Sequence, residues 1–150
     1  MAAVAAALLA SAGCGGGEQP RKIARSPCPR AIAAVLGDGA RSHLEDRAPS
    51  VLTCTYRAAG TPATAVRVTV DSAPQALTRF SRGVVERAQA HLGDRRAELP
   101  VEIGGVGVGA AWVAAPRELS ATDGRRLVTV TVVTGSQPRA TATAVARAVL

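Results

Sequence analysis

Aromatic residues are almost missing from this chain: Trp112, Tyr56 and Phe80 are the sole members of their types in 150 residues. A folded interior must therefore be packed from Val, Leu, Ile and Ala, and no platform of rings is available for stacking bases. Lysine is nearly missing too, since Lys22 is the single one among 18 basic side chains. Arginine carries the formal net charge of +7. Basic residues nevertheless stand together only in pairs, as at Arg95–Arg96 and Arg125–Arg126. Charge scattered in this way describes a solvated surface that can meet anionic head groups or polymers, and nucleic acid is not an expected partner. Cysteine occurs three times, without the C-x-x-C spacing that redox catalysis prefers, and a zinc site would need more ligands than two cysteines and two distant histidines. No G-x-S-x-G nucleophile elbow is present. No apolar run approaches the roughly 20 residues that a helix needs to span a bilayer.

What is there suffices for a fold. Hydrophobic residues make up 47% and charged residues 19%, a balance that excludes a mostly disordered chain, and the length suits one domain. The first thirteen residues, Met1 to Gly13, carry no charged side chain, and Ala2 to Ala10 form an apolar run. A run of about 7–15 apolar residues followed by small ones fits the core and cleavage region of an export signal. Ser11-Ala12-Gly13-Cys14 resembles the lipobox of bacterial lipoproteins. That resemblance implies that the Cys14 thiol is joined to diacylglycerol and that the chain is then cut just before it. The small residues Ala12 and Gly13 suit a narrow membrane-level site. Ala10-Ser11-Ala12 is also an A-x-A site, so cleavage after Ala12 with free secretion stays open as the alternative. No Arg or Lys follows Met1 directly, which points to a translation start upstream. The expected organisation is a signal over 1–13, a lipidated flexible tether over 14–27, rich in Gly, Pro and polar residues, and one extracytoplasmic domain over 28–150. A diacylglycerol, with two chains, makes a firm anchor where one acyl chain does not.

With Cys14 assigned to lipid, Cys28 and Cys54 remain. Export places them in an oxidising compartment, and two cysteines allow one intramolecular pairing, so a structural disulfide is expected.

Along the domain, Pro29 to Gly37 reads as a short helix with Pro in its first turn and Gly at its end. A polar loop, Asp38 to Ser50, follows. Val51 to Arg57 and Ala65 to Val70 alternate as strands, the second through Val66, Val68 and Val70. Ser72 to Leu92 is the main helix, opened by capping-box spacing at Ser72 and Gln75. Ala110 to Ala115 is a strand containing Trp112. Glu118 to Thr122 and Arg125 to Thr134 flank the hairpin signal Asp123-Gly124, and Pro138 to Leu150 closes the chain as a helix. The order α-ββ-α-βββ-α predicts an α+β fold: an antiparallel sheet of four to five strands with helices packed on one face.

Several of these landmarks fall in a recognisable series. A Cys precedes a short helix ending in Val35-Leu36-Gly37; a Cys54-Thr55-Tyr56 strand, a helix, a Gly105-Val106-Gly107 turn, an Ala/Trp strand and an Ala-rich terminal helix follow. The series, from Cys14 to Leu150, resembles small actinobacterial lipoproteins of unknown function, and is similar to extracytoplasmic sensor domains of some mycobacterial receptor kinases. The resemblance implies a lipid-anchored, disulfide-linked α+β domain with no established catalysis. It transfers no catalytic residue.

Three stretches offer candidate chemistry. Gly105-Val106-Gly107-Val108-Gly109-Ala110 satisfies G-x-G-x-x-A, with Asp123 beyond it, but the dinucleotide mechanism needs a strand before and a full helix after the loop. Pro100 and Pro116 leave no room for either, so a turn entering a strand is expected. His43 with Glu45 and Asp46 could belong to a metal or acid–base site, and His91 lies at the end of the main helix; a solvated or structural role is expected for each. Trp112 is read as a core anchor before a ligand platform. The functional expectation is a non-enzymatic domain on the extracytoplasmic face of the cell membrane. It would use no cofactor or metal and would bind an envelope protein or an amphiphilic ligand, the latter in an apolar pocket between the Ser72–Leu92 helix and the sheet. The alternatives are a freely secreted interaction module and a small cell-envelope hydrolase.

Overall fold

The computed structural model describes residues 27–37, 39–60 and 62–150. The readings placed on the signal, on Cys14 and on the tether before Pro27 lie outside these residues. Ten elements follow one another: α1 (Arg30–Leu36), β1 (Arg41–Arg47), β2 (Val51–Ala58), β3 (Thr64–Asp71), α2 (Ala76–Gly93), β4 (Val101–Glu102), β5 (Gly109–Val113), β6 (Glu118–Thr122), β7 (Leu127–Thr134) and α3 (Pro138–Val149). The seven strands form one antiparallel sheet in the order β1-β2-β3-β7-β6-β5-β4.

This corrects the expected four to five strands and the order α-ββ-α-βββ-α; the order is α-βββ-α-ββββ-α. The two added strands sit at the two edges of the sheet. In β1, Arg-Ser-His-Leu-Glu-Asp-Arg, only Leu44 turns partly into the core, so a polar edge strand carries no alternation to read. In β4 two residues make the whole strand. The main helix also begins at Ala76 rather than Ser72. The Asp71 carboxylate accepts the Ala73 N–H (2.8 Å) and Gln75 adopts a left-handed φ of 62°, so the segment with capping-box spacing is a separate turn.

Register explains the core. Cys54 faces Val68, Tyr56 faces Val66, Val68 faces Val130, and Val130 faces Leu119, which in turn faces Trp112. One sheet face is thus a continuous apolar surface of β-branched residues, suited to pleated packing. It is covered by Ile32 of α1 and by Ala142, Val145 and Ala146 of α3. Helices were expected on one face only; α2 lies on the other. Its Phe80 sits against Gly109, where an added Cβ would come within 2.9 Å of the ring. Ion pairs Arg79–Asp71 and Arg87–Glu118 fasten it at both sides. The seat for α2 is made by small residues of β5, and it covers only the β5–β7 half of that face. Thr53, Thr55, Arg57 and Arg67, on the β2–β3 half, stay outside the helix.

Candidate functional site

Helix α3 starts with Pro138 at its first position and turns Ala142, Val145 and Ala146 inward. Its next flank, carrying Arg139, Thr143 and Arg147 at four-residue spacing, faces along the sheet toward β5. There the sheet continues past the helix, and Trp112, only 6% exposed, forms the floor of a groove of about 680 Å³. Ala114, Ala140 and Ala144 line it as well, and Arg117, Arg139 and Arg147 stand around it.

The arginines are held differently. Arg117 occupies the turn between β5 and β6 with φ of 64°; its N–H donates to Ala114 O (3.0 Å) and its carbonyl accepts the Val132 N–H (3.0 Å). A non-glycine residue in this region costs about 1 kcal/mol or more, and such strain clusters where a side chain has to be aimed. Arg147 donates from Nε to Gly105 O (3.1 Å), which fixes its guanidinium. Arg117 and Arg139 make no ion pair and no side-chain hydrogen bond among the described residues. No acidic side chain lines the groove. An apolar floor beneath unneutralised guanidinium forks can take a molecule with a hydrophobic body and a carboxylate or phosphate head, because guanidinium binds those groups in bidentate fashion.

This is not the place expected for a ligand. The spaces beside α2 are smaller, about 200 and 360 Å³, because Phe80 closes onto Gly109 and the Arg87–Glu118 pair draws the helix down.

The other residues singled out from the sequence fall as follows. Cys28 and Cys54 are joined by a disulfide (S–S 2.05 Å) and are 3% and 1% exposed, so the bond is part of the core under α1. Beside it, the buried Tyr56 donates its hydroxyl to Pro29 O (3.0 Å), and burial pushes that phenol up to about 12. His91 closes the loop after α2 through a hydrogen bond between Nδ1 and Ala97 O. The glycine series is a turn between β4 and β5. Val106 is buried, Val108 N–H donates to Thr122 O (2.8 Å), and Gly107, at φ of 58°, passes so close that a Cβ would lie 2.2 Å from Thr122 O. A strand follows it, not a helix, so the chain offers no helix N-terminus for a pyrophosphate there. Asp123 serves the next hairpin. It accepts from the Arg126 N–H (2.7 Å), the Arg126 guanidinium and the Arg125 N–H (2.9 Å), and these bonds, the Arg126 N–H first, hold its carboxyl down to about 2.

His43, Glu45 and Asp46 lie in β1, not in a loop. A bulge between Leu44 and Asp46 leaves Glu45 extra, so these three share the uncovered half of the sheet. Glu45 accepts from the Thr55 hydroxyl and from Arg67 Nε (2.7 Å), and these two partners, Thr55 first, hold its carboxyl below the usual range. Among the described residues no group of three or more His, Cys, Asp or Glu could hold a metal ion, and no helix is long and apolar enough to cross a membrane.

In comparisons with known proteins the chain matches no family model, no curated protein and no solved structure. The groove's arginines were not singled out in the sequence. Arg139-x-x-x-Thr143-x-x-x-Arg147 marks one flank of a helix, but Arg117 reaches it from another element, and only the β5–β6 turn brings them together.

Proposed function

We propose that the chain is an exported binding domain, lipid-anchored through Cys14, that acts by holding an anionic amphiphile in the groove between α3 and β5. The observation that carries this reading is the groove itself: Arg117, Arg139 and Arg147 around the Trp112 floor, with no acid among its lining residues. The location rests on the sequence: the lipobox-like Ser11–Cys14, the Gly-rich tether, and the likeness to small actinobacterial lipoproteins. The buried Cys28–Cys54 bond supports it, because such bonds persist in oxidising compartments.

Trp112 is the sole tryptophan, so its emission reports on the groove directly. Oleate, added below its micellar concentration to the domain from Pro27 onward, is expected to shift that emission saturably. Oleyl alcohol, with the same tail and no charge, is expected to bind at least about tenfold more weakly, and Arg139→Gln to weaken oleate similarly, the loss of a charge-assisted contact. Equal response to both ligands, or an Arg139→Gln variant that binds oleate like the parent, refutes the reading.

A further inference from the structure

At the far edge of the sheet, on its uncovered half, Arg41 of β1 stands directly opposite Arg57 of β2 in the antiparallel register. Opposed residues of this kind have Cβ atoms about 5 Å apart, and like charges placed there destabilise the pair. Neither arginine has an ion-pair or side-chain hydrogen-bond partner among the described residues. The acid on that side of the cleft, Glu45, is already engaged by Thr55 and Arg67 and does not neutralise them. His43, opposite Thr55, completes the wall. The cleft between these groups measures about 650 Å³. Asp46 shares the face but does not line it. The fold thus maintains two opposed, unpartnered guanidinium groups beside a cleft, an arrangement that a multiply charged anion would relieve.

We propose that the Arg41–Arg57 pair, with His43, is a binding site for a phosphate-class oxyanion of at least two charges, presented from the aqueous side. Guanidinium forks match the oxygen geometry of phosphate, and one dianion between the two would convert their repulsion into two charge-assisted contacts. The strand itself argues for the aqueous source. Pro27, where the described chain begins, lies beside Arg47 and Ser50 at the opposite end of β1, about 20 Å from Arg41 at the usual rise per residue. A group held there is remote from Pro27, and the choice of the aqueous side rests on the proposed anchor preceding that residue.

The site is separate from the α3 groove, and its test does not depend on that reading. The probe is inorganic pyrophosphate, titrated into the domain at constant ionic strength and followed by calorimetry and by the imidazole proton resonances. His43 and His91 are the two histidines of the chain, and His43→Gln identifies which signal is which. Pyrophosphate is expected to move the His43 signal and leave that of His91 in place. Arg41→Gln and Arg57→Gln are each expected to weaken binding about tenfold or more, while leaving the melting temperature unchanged or slightly raised. Arg95→Gln, at an exposed arginine that lines neither cleft, should leave pyrophosphate binding unaltered. The proposal is overturned if the two variants bind pyrophosphate like the parent, or if the His43 signal does not respond. It is overturned equally if phosphatidic acid vesicles bind through Arg41 and Arg57 while soluble pyrophosphate does not.

Discussion

Breaking the Cys28–Cys54 bond, by reduction or by the double substitution Cys28→Ala/Cys54→Ala, measures how far the domain depends on an oxidising compartment. The two cysteines are 26 positions apart, and freeing a loop of that size in the unfolded chain costs about 3.5 kcal/mol on the chain-entropy account. Against a typical domain stability of about 5–15 kcal/mol, this is a large share. For roughly 120 folded residues the unfolding entropy is about 0.25 kcal/mol per kelvin, so the melting temperature should fall by about 14 °C on reduction. The double variant should fall further, by about 1 kcal/mol more, because both sulfurs are buried beside Ile32 and alanine leaves a void. The Tyr56 hydroxyl bond to Pro29 O ties the same segment to β2 and survives both changes. Tyr56→Phe combined with reduction should therefore cost more than the two separate losses added together. The assay is thermal unfolding with and without reductant, followed by circular dichroism. A fall of less than about 3 °C in both forms would show that the segment before α1 contributes little to the cooperative unit, and the entropy argument would fail.

Two other outcomes follow, one from the proposed anchor and one from the β6–β7 turn. Cys14→Ala should release the full-length protein from the membrane fraction of its own host into the soluble fraction, as read by fractionation and immunoblot; retention at the membrane would reject the lipid anchor. Asp123 is held down to about 2 from an ordinary 3.8. A carboxylate depressed on folding stabilises the native state above its unfolded value, and this contribution is lost as pH falls from 3.8 toward 2. Asp123→Asn should cost about 1 kcal/mol at neutral pH, a value discounted for the solvent that reaches the pair, and should flatten the acid limb of a urea midpoint–pH profile. An acid limb identical to that of the parent would show that Asp123 contributes nothing to acid sensitivity.

How much of this was legible depends on where each element gets its stability. Strands that bury one face were readable, because Val66, Val68 and Val70 must alternate with Arg67 and Thr69 to reach the core. The β6–β7 hairpin was readable from Asp123-Gly124, where Gly124 takes the positive φ that the turn requires. β1 was not, because an edge strand pairs through its backbone and puts only Leu44 near the core. The second helical layer was hidden for a different reason. α2 packs on the side opposite α1 and α3 because Gly109 and Ala111 leave space for Phe80, and small residues in a strand look the same whether they admit a helix or only end a turn. Trp112 was identified, but not the cations that converge on it. A site built from α3 and the β5–β6 turn has no sequence spacing of its own.

The arginines show what the fold adds to composition. Along the chain they are dispersed, and dispersion reads as a solvated surface. In space they separate by partner. Arg67, Arg79, Arg87 and Arg126 each meet a carboxylate: the first three pairs join strand to strand or helix to sheet, and Arg126–Asp123 braces the β6–β7 turn. Arg126 also donates to Val149 O (2.9 Å) and Leu150 O (3.0 Å), so it fastens α3 across the hairpin. Arg41, Arg57, Arg117 and Arg139 meet none among the described residues, and they line clefts of about 650 and 680 Å³ near opposite edges of the sheet. All four are exposed, as a solvated surface requires, but two of them face each other across a strand pair, where like charges repel, and another two stand around an apolar floor. An anion from outside would complete either arrangement, as proposed above. Arg30, Arg47, Arg82, Arg95, Arg96 and Arg125 likewise meet no carboxylate among the described residues and line neither cleft, so charge alone marks no site. What distinguishes Arg41 and Arg57 is their opposed register, and Arg117 and Arg139 their place around Trp112.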